Sequence, residues 1–422
     1  MEYKFYAGIA AMLLTTGSAL AEELTVAGHW TGTLEETIEE VLEVFAQSSG
    51  HDVRYIGMAD FESQIPRDLE AGSPPNIAVF PQPGLASDLA ARGFLTPLKD
   101  GTATWLSENY AAGDSWVDLG TYADANGDEQ LYGFPYKIDL KSLVWYVPEN
   151  FEDAGYEVPN SMEELKALTE QIVADGETPW CIGLESGVAS GWPATDWVEE
   201  ILLRTHPPEV YDAWVSNDIP FDAPQIVDAI EEFGVFARND DNVAGRVSAV
   251  NTTSYDDSPA GLFTSPVRCY MHRQGSFIPA FFPENAEAGE DYDFFYFPTY
   301  AERDLGSPIL GAGAIWVITD DSPAAHELIE FLKTPEAHET WMGLGGFLTP
   351  HKGVDSAAFA DPTLRKMNDI LLEATTFRFD ASDLMPSAVG TGTFWTGMLD
   401  YVDGKDAIDV ASDIQASWDA VK

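Results

Sequence analysis

Sixteen residues, Tyr132 to Val147 (YGFPYKIDLKSLVWYV), constrain this chain most. A Tyr-Gly turn and Pro135 lead into a strip that mixes Lys137, Asp139 and Lys141 with aromatics. It ends in Leu143-Val-Trp-Tyr-Val147, a short β-branched and aromatic run of the kind that forms a buried strand. Three charges ahead of an interior strand fit a strand that enters the core past a wet cleft. The segment is therefore expected to be a crossing between two lobes, with Lys137 and Asp139 in the cleft wall. An exposed hairpin leading into an interior strand has the same pattern.

Before this segment the chain alternates strand and helix. Leu24–Ala27 reads as a strand, and the next helix carries Leu34, Ile38, Val41, Leu42 and Phe45 on one face, with Thr33 and Glu36 as a capping box. Strands at 53–56 and 77–80 follow, giving an α/β unit with a largely parallel sheet. Ligands of such sheets sit beyond the carboxyl ends of the strands. That rule selects Trp30, Asp60 and Gln82 from three separate turns. Each also has a bland reading: Trp30 as a core cap, Asp60 as a helix N-cap, Gln82 as a solvated loop residue. Asp124-Ala-Asn-Gly-Asp128 reads as an Asn-Gly hairpin turn, because its glycine and glutamate are misplaced for a calcium loop.

Beyond the crossing, Ser161–Glu164 is a second capping box. Gly191-Trp-Pro places Trp192 in a Gly/Pro loop, with Asp196 and Trp197 opening a helix. Cys269 to Phe282 gathers His272, Arg273 and Gln274 among aromatics, and Arg273 is expected to pair with a carboxylate. Gly306–Gly313 (GSPILGAG) reads as a flexible stretch running into a strand at 315–318, the return crossing. Ser322-Pro323 and Asp361-Pro362 each start a helix. Two crossings, near 138 and 311, leave neither lobe continuous in sequence.

At 422 residues the chain exceeds what one hydrophobic core usually organises, so two domains are expected. Asp and Glu number 71 against 21 Lys and Arg, a net charge of −50 that repels nucleic acid and anionic lipid and fits a saline exterior. Residues 1–21 read as an export signal: Lys4, an apolar run from Phe5 to Leu14, and Ala19-Leu-Ala21 before Glu22. No later stretch is apolar and long enough for a membrane helix. Cys181 and Cys269 then belong to the exported part, where a disulfide closing a long loop adds on the order of 4 kcal/mol. Two buried free thiols are the alternative.

Enzymatic signatures are missing. There is no GxGxxG after the first strand, no GxxxxGK[ST], no HExxH and no GxSxG. Neither a cofactor nor a metal is expected. With so many acids, carboxylate pairs arise from composition alone and do not signal glycoside hydrolysis. What stands out is aromatic: 12 Trp, 16 Tyr and 23 Phe. Indole faces suit the C–H faces of sugars, and Asp, Asn, Gln, Lys and Arg suit their hydroxyls.

YGFPYKIDLKSLVWY and GAGAIWV resemble extracellular solute-binding proteins of carbohydrate ABC importers. NIAVFPQPG, TPWCIG, GWPATDWVEEILLR and CYMHRQGSFI are similar to the alpha-glucoside-binding subgroup of Gram-negative bacteria. The likeness covers essentially the whole mature chain. It implies a two-lobed α/β fold of the periplasmic binding protein type, discontinuous and hinged, with 22–138 and 312–350 in the N-terminal lobe and 139–311 and 351–422 in the C-terminal lobe. It also implies a periplasmic, non-catalytic, monomeric protein that delivers a neutral sugar to an inner-membrane permease, and a bridge between Cys181 and Cys269. Trp30, Asp60, Gln82, Lys137, Asp139, Trp192, Asp196, Arg273, Gly313 and Trp316 match places where the subgroup pattern and the strand-end argument coincide. Trp341, Phe347 and Trp395 lie where related proteins place late aromatic platforms. Two rivals remain: a binder of an anionic sugar derivative, such as a sulfonated glycoside, which needs an uncompensated Lys137 or Arg273, and a secreted glycosidase.

Overall fold

The computed structural model describes Met1, residues 21–111 and residues 113–421. Apart from its two end residues, the expected export signal lies outside that range. Among the described residues no helix is long and apolar enough to cross a membrane.

Strands β1 (Glu23–Gly28), β2 (Asp52–Gly57) and β3 (Ile77–Phe80) pair in parallel, with β1 in the middle. Helices α1 (Thr33–Ser49) and α2 (Phe61–Ala71) connect them, and α3 (Pro83–Ala91) follows β3. Ile38, Val41, Leu42 and Phe45 are buried along α1, as their spacing predicts. Its expected cap is not made. The helix already begins at Thr33, and Gly32, with φ +60°, stands at the N-cap without a side-chain bond. A hairpin of β4 (Thr121–Ala123) and β5 (Glu129–Leu131) turns on Gly127, where the Asp124 carboxylate accepts from the amides of Asn126 and Asp128 at 2.7 and 2.9 Å.

Next come β6 (Gly133–Leu140) and β7 (Leu143–Tyr146), the two halves of the crossing segment. Strand β7 leaves the first sheet and forms a second, antiparallel one with β8 (His272–Arg273) and β9 (Asp293–Tyr296). The return is β10 (Pro308–Ile318), and β11 (Thr376–Phe379) closes the series. Gly306–Gly313 is therefore not a flexible lead-in: from Pro308 onward it is the first half of an eleven-residue strand, buried throughout. Its glycines serve close approach. A Cβ on Gly311 would lie 2.3 Å from the Phe377 ring, and one on Gly313 would lie 2.7 Å from the Lys137 carbonyl oxygen.

Strands β6 and β10 run antiparallel to each other, with Ile138 opposite Gly313 and Asp139 opposite Ala312. At one end β10 pairs with β3 and at the other with β11, so β6 and β10 lie within the first, six-stranded sheet, and the chain passes to the second sheet where β6 leads into β7. The fold is thus α/β with two discontinuous lobes, each containing a sheet. Beyond the hinge, helices Met162–Ala174, Trp192–Thr205, Pro224–Ala237 and Ala407–Val421 pack a second core through Leu165, Trp197, Ile201, Phe233 and Ile414. The caps expected at Ser161, Ser322 and Asp361 are formed, each side chain accepting from the amide three residues on. Cys181 and Cys269 are bridged.

Candidate functional site

The turns that follow β1 and β3, the N-terminus of α2 and the middle of β6 meet at one rim of the first lobe. His29 follows β1. The residue is partly exposed, yet burial of the ring, with Lys137 as a secondary cause, pulls its pKa down to about 4, and the buried Nδ1 has no partner among the described residues. Gln82 donates its amide to the Glu62 carboxylate at 3.1 Å, and its own oxygen is buried without a donor among the described residues. Burial raises the Glu62 carboxyl above its usual range, and neighbouring Asp60 adds to the shift. Asp60 itself is exposed at the start of α2.

On the crossing strand, Lys137 is buried and ion-paired with Asp139. Asp139 also accepts from the Ser276 hydroxyl at 3.2 Å, which ties the hinge to the loop after β8. From the second lobe Trp192 is half-buried, with Tyr255 at 5.1 Å, Phe277 at 6.0 Å and the Lys141 ammonium 5.1 Å over its ring. Trp192 is not in a loop: Gly191 precedes the helix and Pro193 occupies its first turn, so the indole heads Trp192–Thr205.

The other aromatic candidates lie deeper. Trp30, Trp316, Trp341 and Phe347 are buried and pack on one another, with Trp30 to Trp341 at 5.1 Å and Trp341 stacked on Phe347 at 5.1 Å. They form the aromatic bed beneath the rim. The indole N–H groups of Trp316 and Trp341 are buried without acceptors among the described residues. Trp395 is buried in the second lobe, where its N–H donates to the Ser382 hydroxyl at 3.3 Å.

Asp196 and Arg273 belong to a buried ionic cluster behind Trp192. Arg273 reaches Asp196 at 3.3 Å and Glu200 at 3.0 Å, the carboxylate pairing expected of it. Lys141 bonds Asp196 at 2.7 Å and also Asp380. Burial works against the Lys141 charge, but these carboxylates hold it protonated, above the ordinary lysine range. Burial raises Asp196 to about 7, assisted by Asp380, and drives Glu199 well above the carboxylate range. Asp196, Glu199 and Asp380 are close enough to hold a metal ion, but the Lys141 ammonium already bonds two of them. Neighbouring Asp383 is also pushed well above its usual range, first by burial and then by Asp380, with Glu62 of the opposite lobe contributing.

Of the residues singled out in the sequence, the strand-end rule selected Gln82, the charged strip Lys137 and Asp139, and the Gly/Pro reading Trp192. His29, Glu62 and Asp383 were not singled out. His29 and Glu62 each adjoin or lie two residues from a position the strand-end rule selected, whereas nothing local marks Asp383.

This architecture, two α/β lobes joined by paired crossing strands with polar and aromatic groups gathered at the crossing, defines a class of hinged binding proteins. Residues 30–339 match the family of bacterial extracellular solute-binding proteins, and the chain belongs to that family. It is 58% identical over 402 residues to the alpha-glucosides-binding periplasmic protein AglE of Rhizobium meliloti, covering 95% of this chain and 88% of that one. It is 42% identical over 398 residues to the osmoprotective compounds-binding protein GgtB of Synechocystis sp., covering 94% and 92%. The bacterial solute receptor AcbH shares the fold at a TM-score of 0.81 and 17% identity, over 95% of this chain and 99% of that one. The chain is accordingly an extracytoplasmic binding protein and not an enzyme.

Proposed function

We infer that the protein captures a neutral sugar outside the cytoplasm and delivers it, as a monomer, to an ABC import permease. The observation that carries this reading is the pairing of the bases. Lys137 is neutralised by Asp139, and Arg273 by Asp196 and Glu200. Among the described residues singled out for the site no uncompensated cation is left, so the anionic alternative lacks the base it requires. A polyhydroxylated neutral ligand can donate to Asp139 and to Gln82 Oε1, accept from Lys137 and from a protonated Asp383, and lay a C–H face on Trp192.

Within this reading the contact set is Trp192, Gln82, Lys137 and Asp139, joined by His29, Glu62 and Asp383. Trp30, Trp316, Trp341 and Phe347 support it from below. The lobes divide where Ile138 pairs with Gly313. The names of AglE and GgtB, one for alpha-glucosides and the other for osmoprotective compounds, favour small neutral glucosides such as sucrose, trehalose, maltose and glucosylglycerol.

A thermal-shift screen over these four sugars, simple polyols and sulfonated sugars tests the reading. A neutral glucoside of sub-micromolar affinity, added at millimolar concentration, stabilises the folded state by about 4 kcal/mol through mass action. It should be recovered chemically unchanged. A shift with sulfonated sugars only, or hydrolysis of a disaccharide, would contradict it.

A further inference from the structure

Lobes that close on a small molecule must meet somewhere, and the structure shows a meeting place away from the aromatic bed. Helix α3 belongs to the first lobe, where Leu85, Ala86, Leu89 and Ala90 are buried beside β3. Opposite it runs the segment 383–387. This segment is anchored in the second lobe by the Ser382 amide on Glu199 at 3.0 Å and by the burial of Ala381 and Met385.

Gly84, in the first turn of α3, sits directly against the main chain of that segment. A Cβ on it would lie 2.2 Å from the Met385 carbonyl oxygen and 2.9 Å from that of Asp383. Both obstacles are backbone atoms, so no side-chain rotation relieves the clash. Gly84 has no positive φ and lies in a helix, where alanine is favoured over glycine, so the substitution suits the first lobe taken alone. One helical turn further on, Asp88 faces the same segment: its Oδ2 accepts from the Ser387 amide at 3.2 Å and the Ser387 hydroxyl at 2.5 Å.

We propose that Gly84 and Asp88 are the latch between the lobes, positioning residues that set ligand affinity without touching ligand. Gly84 admits main-chain contact across the cleft, and Asp88 fastens it. A methyl group at position 84 props the lobes apart while leaving each lobe intact. The proposal rests on the reading of a protein that closes around its ligand.

The test uses the full mature chain carrying Asp88→Cys and Ser387→Cys, whose side chains meet only when the lobes are closed; Cys181 and Cys269 are already bridged. The rate of disulfide formation between 88 and 387 is measured with Gly84 and with Gly84→Ala, alone and with sucrose, trehalose, maltose or glucosylglycerol. Rapid bridging that Gly84→Ala slows at least tenfold, without lowering the unfolding midpoint, is the expected result. Equal rates in the two backgrounds, or no bridging in either, would overturn the latch. If alanine slows bridging but none of the sugars changes the rate, the latch stands and the carbohydrate reading fails. Ser387→Ala in the otherwise native chain removes both the hydroxyl bond and any question of added bulk. It should weaken binding of whichever of these sugars accelerates bridging by several-fold, and unchanged affinity would count against the latch.

Discussion

The two sides of the hinge are held together by different physics. On the first-lobe side Trp30, Trp316, Trp341, Phe347 and Tyr136 form a bed of rings in which, among the described residues, two indole N–H groups lack acceptors. On the second-lobe side Lys141, Arg204 and Arg273 are interleaved with Asp196, Glu199, Glu200 and Asp380, all buried. Apolar packing is indifferent to pH and tolerates small shifts. A buried ionic cluster has directional bonds and a definite proton count, so it holds one geometry. The contrast assigns the first lobe the compliant bed and the second lobe the rigid frame against which Trp192 and Asp383 are set.

Substitutions on the two sides should separate these roles. Lys141→Met leaves Asp196 and Asp380 without their ammonium, and loss of one partner from a buried pair costs about 3–5 kcal/mol. Phe347→Ala, a cavity in the aromatic bed, costs about the same. Urea unfolding at several pH values tells them apart. The Lys141→Met deficit should shrink as pH falls and Asp196 and its neighbours take up protons, whereas the Phe347→Ala deficit should stay constant. A pH-independent Lys141→Met deficit would erase the distinction. Reducing the Cys181–Cys269 bridge, which spans 88 residues, should cost about 4 kcal/mol in the same assay.

Smaller effects concern binding. Trp192→Ala should weaken the sugar complex by about 2 kcal/mol, roughly thirtyfold in Kd, with an unchanged unfolding midpoint. Loss of folding instead would make the indole a core residue. The smallest effect is a pH dependence of closure. Glu62 and Asp383 approach from opposite lobes, and both carboxyls are raised, so the closed state holds protons more tightly than the open one. Affinity should therefore rise as pH falls toward these elevated values and decline as pH climbs through them. Glu62→Gln should flatten that pH dependence. An identical slope in the variant would show that the two carboxyls do not communicate.

Much of the frame is written locally. The buried face of α1 follows from its spacing, and the helix starts at Ser161, Ser322 and Asp361 from short capping signals. The crossing at 132–147 is legible because a charged strip precedes an apolar strand. What misled was glycine and proline. GSPILGAG has the composition of a loop, yet Gly311 and Gly313 are there because a ring and a carbonyl press on them from neighbouring strands. Likewise Gly191-Trp-Pro looks like a loop, although proline suits the first turn of a helix. At the site, the strand-end rule locates turns but not the direction of side chains. It therefore singled out Trp30, which points into the bed, over His29 beside it. Asp383 could not be read from sequence at all, because its significance comes from a contact between lobes.

The central claim, a site between the lobes that takes uncharged sugar, is tested most directly by calorimetric titration of the mature protein with a neutral glucoside and its sulfonated counterpart at low and high salt. One-to-one binding of the neutral sugar, little changed by salt, with the sulfonated sugar at least a hundredfold weaker, is the predicted result. Tighter binding of the sulfonated sugar, weakening as salt is added, would contradict it.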